Sequence, residues 1–464
     1  MTDLAFAGFL AAMLVLGLRR PFIWVLAYAY VDIVSPHELT YYIFDSIPLS
    51  LVVAPLAIMG WLIFDKEKSF QISTTQWLIG MLGLWCGFTT LYAEFPVEAQ
   101  FKWDWVWKGM IWAMFLPFVL RTRLRIEAYV LFMVLGPALI MIAGGIKTVL
   151  SGGGYGSLAI MVDSNSGIYE SSTAATIAIA IIPLILWVGR FNTIFPQDWK
   201  VKVFAGCLVF ACLLIPIGTE ARTGLVCIVV LAALMLRDNR RRLLFIGLAG
   251  FGAIVSLPFL PQSFSDRMGT ISTYQADMSA MTRIAVWRWT LEYVSENPTG
   301  GGFGIYRGNN IQYTTTETLE SAGATSVQQR VVVDRGRAYH SAYFEVLAEQ
   351  GWIGLALWLA LHGIGLLRME IVRRRYRKER APPGYEWVSP LATALQHCQI
   401  IYLIGALFIA IAFQPFPLML LAVQASLDMY LSRLRKREGF KPVAEALKEP
   451  GTPRMGKPLP GNLT

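Results

Sequence analysis

Long apolar runs separated by short polar loops fill most of this chain. Thirteen of them are long enough, or nearly long enough, to cross a bilayer as helices. The first two are short and the last also suits a re-entrant or interfacial segment, so the pattern predicts an all-α, polytopic membrane protein of about 12–13 transmembrane helices. The runs cover residues 4–18, 21–34, 47–64, 76–93, 106–120, 126–147, 172–189, 201–218, 222–236, 241–258, 346–367, 392–413 and 417–431.

The composition supports this membrane assignment. Only 15% of the residues are charged, whereas soluble domains carry about 25%. The net charge of +9 comes mostly from short clusters between apolar runs, so it does not indicate a nucleic-acid-binding protein. All five cysteines lie in apolar segments, which favours buried small side chains over disulfides or metal ligands. The first run leads directly into another and is predicted to be a retained span, not a cleaved signal peptide.

The basic clusters occupy alternate loops, which predicts the orientation. They are Arg19-Arg20, Lys66/Lys68, Arg121/Arg123/Arg125, Arg190 with Lys200/Lys202, Arg237 with Arg240–Arg242, Arg368–Arg380 and Arg433–Arg437. Crossing each run once places all of them on one side, which the positive-inside rule assigns to the cytoplasm. Four regions follow: an N-terminal transmembrane bundle at 1–258, a large outer loop at 259–345, C-terminal transmembrane helices at 346–431 and a cytoplasmic tail at 432–464. The side of the N-terminus depends on how 1–34 is counted.

The outer loop contains seven arginines and no lysine. Because guanidinium groups grip phosphate oxygens with two parallel hydrogen bonds, these arginines are candidate phosphate contacts. The sequence predicts an amphipathic helix at 277–296, ended by Asn297-Pro298. Arg283 and Arg288 flank its expected apolar face, and each arginine taken alone is more simply explained by ordinary snorkelling at an interface. That face consists of Ala280, Ile284, Trp287, Leu291 and Val294.

Two further segments of the loop follow this helix. The run Gly300–Gly304 allows backbone N–H groups to approach a phosphate, but a tight turn is an equally common reason for such a run. Residues 308–336, which are rich in Thr, Gln, Ser, Asn and Gly, are expected to form a flexible surface segment.

His340 and Arg222 are the other candidates for chemistry on the outer side. The helical spacing of His340, Tyr343/Phe344, Leu347 and Gly351 places the histidine at the mouth of the following span. There it can accept a proton from a sugar hydroxyl, or serve only as a neutral hydrogen-bonding group. Arg222 begins a span in a short loop, where it is either paired with Glu220 or part of an anion site at the helix start.

The order and spacing of these motifs resemble the O-antigen ligase and O-antigen polymerase superfamily. The resemblance rests on Arg222 in a short outer loop, on R-x-x-x-W (Arg283, Trp287) followed by N-P-x-G-G-G-x-G, and on H-S-x-Y-x-E-x-L-x-E-x-G-x-x-G from His340 to Gly354. The segment RRPFIWVLAYAYVDIVSPH also resembles a branch of O-glycosylation ligases that accompany exosortase systems.

This resemblance implies a multi-pass glycosyltransferase of the bacterial inner membrane with its active site facing the periplasm. It implies transfer from an undecaprenyl-pyrophosphate-linked glycan without metal or other cofactor. Arg222 and Arg283 would contact the pyrophosphate and His340 would deprotonate the acceptor hydroxyl, here expected to belong to lipid A–core oligosaccharide, so that one displacement inverts the anomeric centre. Arg288, Lys147 and Tyr155 are expected substrate-binding residues on the same side, and Tyr41/Tyr42 are further candidates for lining the pocket.

Rival functions remain open from the sequence. An O-antigen polymerase or a protein O-oligosaccharyltransferase would use the same donor with another acceptor. A lipid-glycan transporter or channel would perform no chemistry, although the broken helices and intramembrane carboxylates typical of transporters are not evident. The sugar and the oligomeric state are not encoded in any motif.

Overall fold

The structure is a computed structural model that describes residues 2–36, 49–65, 68, 70–153, 167–237, 278–321 and 324–438. Its α-helices are α1 (Thr2–Arg19), α2 (Phe22–Val34), α3 (Leu49–Phe64), α4 (Thr74–Leu91), α5 (Pro96–Val119), α6 (Arg123–Ser151), α7 (Ser171–Phe191), α8 (Trp199–Gly218), α9 (Arg222–Leu236), α10 (Met278–Glu296), α11 (Ala342–Arg375), α12 (Val388–Gly405) and α13 (Pro415–Glu438). Short 3-10 helices span Gly167–Tyr169 and Ile305–Gly308, and a hairpin is formed by β1 (Asn310–Ser321) and β2 (Ala324–Arg335).

The all-α, polytopic membrane fold is confirmed. Within the described ranges, α6, α7, α8 and α11 are long and apolar enough to cross a membrane, and α1, α2, α3 and α9 are shorter apolar helices. The span expected at 241–258 lies outside the described residues. The run at 392–413 is not one helix, because α12 ends at Gly405 and turns follow. Helix α13 continues to Glu438, seven residues past the predicted run.

Helix α7 forms the centre of the bundle. Most of its side chains are buried, and it packs against α6, α8, α9 and α12. Small residues permit this close approach: a Cβ added to Gly405 of α12 would lie 2.2 Å from Thr176, and one added to Gly224 of α9 would lie 2.9 Å from Ala175. The starts of α7 and α9 and the end of α12 are therefore neighbours at one end of the bundle.

The segment expected to be flexible at 308–336 contains the hairpin instead. Its strands pair in an antiparallel register from Asn310 opposite Arg335 to Ser321 opposite Ala324. Consecutive β-branched residues, three threonines in β1 and three valines in β2, favour extended strands. The polar composition of the segment concealed this β propensity.

Helix α10 is present where predicted, but the face that it packs against the protein coincides with the predicted apolar face only at Val294. The buried positions are Thr282, Val286, Thr290 and Val294, four residues apart. Ile284 and Leu291, which belong to the predicted apolar face, are 43% and 49% exposed. The stripe is set by the contact of α10 with β1 and α11, which no periodicity within α10 reveals.

Candidate active site

His340 lies immediately before α11 in a left-handed backbone conformation, with a φ of 48°. Ser341 is the N-cap of α11, and the Ala342 N–H donates to the Ala406 carbonyl oxygen at 2.8 Å just beyond α12. The helical spacing predicted from His340 to Gly351 is therefore wrong at both ends, since His340 precedes the helix and Gly351 interrupts it with a φ of 64°. Non-glycine residues with positive φ are uncommon, and strained ones cluster at functional sites.

Trp287 fastens α10 to the chain on both sides of His340. Its indole N–H donates to the Tyr339 carbonyl oxygen at 2.9 Å, and its ring stacks on Phe344 with centroids 4.8 Å apart. Arg283 lies four residues before Trp287, one helical turn away on the same side of α10. The R-x-x-x-W spacing thus brings the Arg283 guanidinium into the neighbourhood of the His340 imidazole.

The surroundings of His340 favour the neutral form of its imidazole. Desolvation by the surrounding protein lowers the pKa of His340 below its ordinary value, and the charges of Arg283 and Arg337 lower it further. The Glu170 carboxylate opposes this shift and raises the pKa. His340 nevertheless remains exposed at the protein surface. A neutral, accessible imidazole can accept a proton at neutral pH.

Glu170 and Arg337 are the charged neighbours that sequence reasoning missed. Glu170 is the N-cap of α7, and its carboxylate accepts the Thr173 N–H at 2.6 Å. Arg337 follows β2, and its backbone is held by the buried Asn309, whose side-chain amide exchanges hydrogen bonds with the Arg337 N–H at 3.0 Å and carbonyl at 2.7 Å. Glu170 meets His340 only through tertiary packing and is not predictable from local sequence, whereas Arg337 lies only three residues before His340 in the chain.

Arg222 is the first residue of α9 and is partly buried. Glu220, two residues earlier, has a φ of 54°, so a second positive-φ residue lies beside a candidate site residue. The packing of Gly224 on Ala175, of Thr176 on Gly405 and of Ala406 on Ala342 connects the start of α9 with the start of α11. Arg222 and His340 therefore lie at the same end of the bundle.

The expected substrate-binding residues have different outcomes. Arg288 lies on the exposed side of α10. Lys147 is partly buried in the last two turns of α6. Tyr155 lies outside the described residues, as do Tyr41 and Tyr42.

The glycine run docks on the interruption in α11. The Gly301 and Gly302 N–H groups donate to the carbonyl oxygens of Ala348 and Glu349 at 3.0 and 2.9 Å. A Cβ on Gly300 would lie 2.5 Å from the Gly351 nitrogen, so side chains are excluded where the two backbones cross. At least two N–H groups of the run thus have partners within the protein, which makes the packing reason for these glycines the stronger one.

A buried charge network lies beneath this crossing. The Lys102 ammonium on α5 contacts Glu345 and Glu349 on α11, each at 2.7 Å. Glu349 also accepts the Gly304 N–H at 3.1 Å, and Glu345 accepts the Ala412 N–H at 3.1 Å. The network ties α5, the glycine run, α11 and the α12–α13 connection together.

In the sequence, Lys102 falls between the predicted apolar runs 76–93 and 106–120, but α5 begins at Pro96 and includes it. The signal that was overlooked is the pair Glu345 and Glu349, which lie on one helical face in a mainly apolar segment and require a cation.

Two family models match parts of this chain. Residues 207–359 match the family model described as O-Antigen ligase. Residues 1–193 match the model of a family of unknown function, DUF5935. No curated protein matches the chain.

The fold and the site define a polytopic, all-α membrane protein with arginines and a histidine gathered at one end of its helices. The match over residues 207–359 supports membership of the O-antigen ligase/polymerase superfamily, and this matched part contains Arg222, Arg283 and His340. Members of this family are glycosyl-transferring enzymes that act on lipid-linked glycans. The superfamily predicted from the motifs is confirmed.

Proposed function

We propose that this protein is an O-antigen ligase that transfers a glycan from undecaprenyl pyrophosphate to a lipid A–core hydroxyl. The observation that carries the proposal is the position of His340, held in a positive-φ conformation within the electrostatic reach of Arg283. We place the enzyme in the inner membrane, with the His340 end in the periplasm and the regions 1–258, 259–345, 346–431 and 432–464 as its parts. The alternation of basic clusters supports this orientation.

In the proposed reaction, the neutral imidazole of His340 accepts the proton of the acceptor hydroxyl. The hydroxyl oxygen then bonds to C1 of the donor sugar as the bond from C1 to the pyrophosphate oxygen breaks. Undecaprenyl pyrophosphate leaves with the electron pair, and a single displacement inverts the anomeric centre. Removing such a base typically costs about 10²–10⁴-fold in rate.

The arginines would act on the leaving group. Guanidinium groups of Arg222 and Arg283 would neutralise the charge that develops on the pyrophosphate as the C1–O bond breaks. Arg222 stands at the N-terminus of α9, where the helix dipole also favours an anion. Exposed Arg288 and partly buried Lys147 would contact the donor outside the reacting atoms. With charge stabilisation supplied in this way, the proposed reaction proceeds without a metal ion.

An in vitro transfer assay tests the proposal. Purified protein is incubated with undecaprenyl-pyrophosphate glycan and rough lipopolysaccharide, with and without EDTA. We expect equal amounts of capped lipopolysaccharide in both, without ATP or partner proteins. If the donor glycan itself becomes longer, the protein is a polymerase. If glycan appears on serines or threonines of an added acceptor protein, the protein is a protein O-oligosaccharyltransferase. If the donor crosses the membrane of vesicles that contain the protein and no product forms, the protein is a transporter.

A further inference from the structure

A glutamate occupies the capping position at the start of α7, which shorter side chains usually fill. Glu170 is this N-cap, and its Oε2 accepts the Thr173 N–H at 2.6 Å. Ser, Thr, Asp and Asn are the preferred residues there, because their short side chains carry an oxygen to the first turn of the helix. The longer glutamate side chain loses more rotamer freedom in the same role. Capping alone therefore does not explain a glutamate at this position.

The backbone on both sides of Glu170 is held in place. Tyr169 is buried, and its hydroxyl donates to the Val34 carbonyl oxygen at 2.5 Å, at the end of α2. On the other side, the Ala174 N–H donates to the Glu170 carbonyl oxygen at 2.8 Å, and Thr173 is buried. The Glu170 carboxylate thus belongs to a fixed part of the protein, where α2 and α7 meet.

Helix packing brings Glu170 and His340 to the same end of the bundle. Thr176 of α7 lies against Gly405 of α12, where an added Cβ would be 2.2 Å from the threonine side chain. The residue after Gly405 accepts the Ala342 N–H at 2.8 Å. Glu170 comes six residues before Thr176, and His340 comes two residues before Ala342. Both residues therefore stand just outside neighbouring helix starts.

Proton transfer to His340 requires a compensating negative charge. The guanidinium groups of Arg283 and Arg337 both lower the pKa of His340, whereas the Glu170 carboxylate raises it. In the proposed reaction the imidazole becomes a cation as it takes the hydroxyl proton. The two nearby cations oppose that change, and a nearby carboxylate favours it. Among the described residues, Glu170 is the carboxylate that acts on His340 in this way.

We propose that Glu170 is a positioning residue for His340, whose carboxylate stabilises the imidazolium that forms when His340 takes the proton of the acceptor hydroxyl. This inference rests on the proposed function. The proton ends on the imidazole and Glu170 stays ionised throughout, so Glu170 exchanges no proton with the substrate. The Thr173 N–H holds the carboxylate in place while it acts.

Variants of the full-length protein that keep the helix cap but lose the charge test this role. The amide oxygen of Glu170→Gln and the hydroxyl of Glu170→Thr can both accept the Thr173 N–H, and threonine is a preferred N-cap. We expect both variants to melt near the wild-type temperature and to show a kcat lowered about tenfold, the equivalent of one pKa unit, at unchanged KM. Asp198→Asn is the matched control, because Asp198 caps α8 through the Val201 N–H at 3.0 Å, at the opposite end of the bundle.

A histidine titration measures the same interaction without any substrate. The chain has four histidines, so the NMR spectrum of full-length protein with isotope-labelled histidine, in detergent, contains few signals. The signal that disappears in His340→Ala belongs to His340. We expect its titration midpoint to lie at lower pH in Glu170→Gln and Glu170→Thr than in wild type, and to be unchanged in Asp198→Asn.

The outcomes distinguish failure of this inference from failure of the proposed function. Full transfer by Glu170→Thr would mean that only the cap matters. An unchanged His340 midpoint in Glu170→Gln would mean that the carboxylate does not act on the imidazole. Either result, with His340→Ala inactive, overturns the role of Glu170 alone. Full transfer by His340→Ala would instead overturn the proposed base and this inference with it.

Discussion

The indole N–H of Trp287 donates to the carbonyl oxygen of Tyr339 at 2.9 Å, one residue before His340. This bond joins α10 to the backbone that holds the proposed base, while the Arg283 guanidinium projects one turn away. Two motifs that are separated by 52 residues in the chain become one unit through a single hydrogen bond and a ring stack.

Trp287→Phe is expected to lower kcat about tenfold with little loss of stability. The phenyl ring keeps the stack on Phe344 but cannot donate to Tyr339, so Arg283 loses its fixed distance from His340. Single-turnover transfer rates would measure the effect, and Trp289→Phe, on the same helix and stacked on Tyr293, is the control. Equal rates for both variants would contradict this role of Trp287.

His340→Ala and His340→Gly are both expected to reduce transfer about 10²–10⁴-fold, because each removes the base. The two differ in stability, since glycine accepts the φ of 48° and alanine does not. We expect the glycine variant to melt at the higher temperature. Full activity in the glycine variant would show that the backbone conformation, not the imidazole, is what transfer requires.

The pH dependence should identify His340 as the base. Desolvation lowers the pKa of His340 from its ordinary value in the folded protein, so kcat/KM is expected to fall as acid protonates the imidazole, at a lower pH than for an unperturbed histidine. Arg337→Gln removes a charge that lowers this pKa and should move the acid limb upward; Glu170→Gln should move it downward. Shifts in one direction for both variants would be inconsistent with His340 as the titrating group.

Lys102→Met is expected to destabilise the fold by about 3–5 kcal/mol, because it leaves two buried carboxylates uncompensated. Further substitution of Glu345→Gln and Glu349→Gln should restore most of the loss. Unfolding in detergent measures both effects. Lys108→Met is the control, since Lys108 pairs with Asp104, which is 59% exposed, and exposed pairs contribute at most about 1 kcal/mol. A Lys102→Met protein as stable as wild type would show that this network does not stabilise the fold.

Hydrophobic patterning located the described apolar helices to within a few residues in most cases. This agreement has a physical cause, because a chain in lipid must satisfy its backbone hydrogen bonds within each helix. Each span is therefore visible in the sequence as a continuous apolar run. The Arg and His candidates were equally visible, because charged residues are few in such a chain and their positions stand out.

What the sequence determined by itself is therefore the membrane-spanning architecture, the superfamily motifs and the candidates Arg222, Arg283 and His340. Tertiary structure alone decided the positive φ of His340, its charged neighbour Glu170, the buried face of α10 and the pairing of Lys102 with Glu345 and Glu349. The reason is that these features arise where segments distant in the chain come into contact. The backbone crossing of Gly300 on Gly351 leaves no periodic signal in either segment. The Glu345 and Glu349 pair indicates that a cation is needed but does not identify it as Lys102.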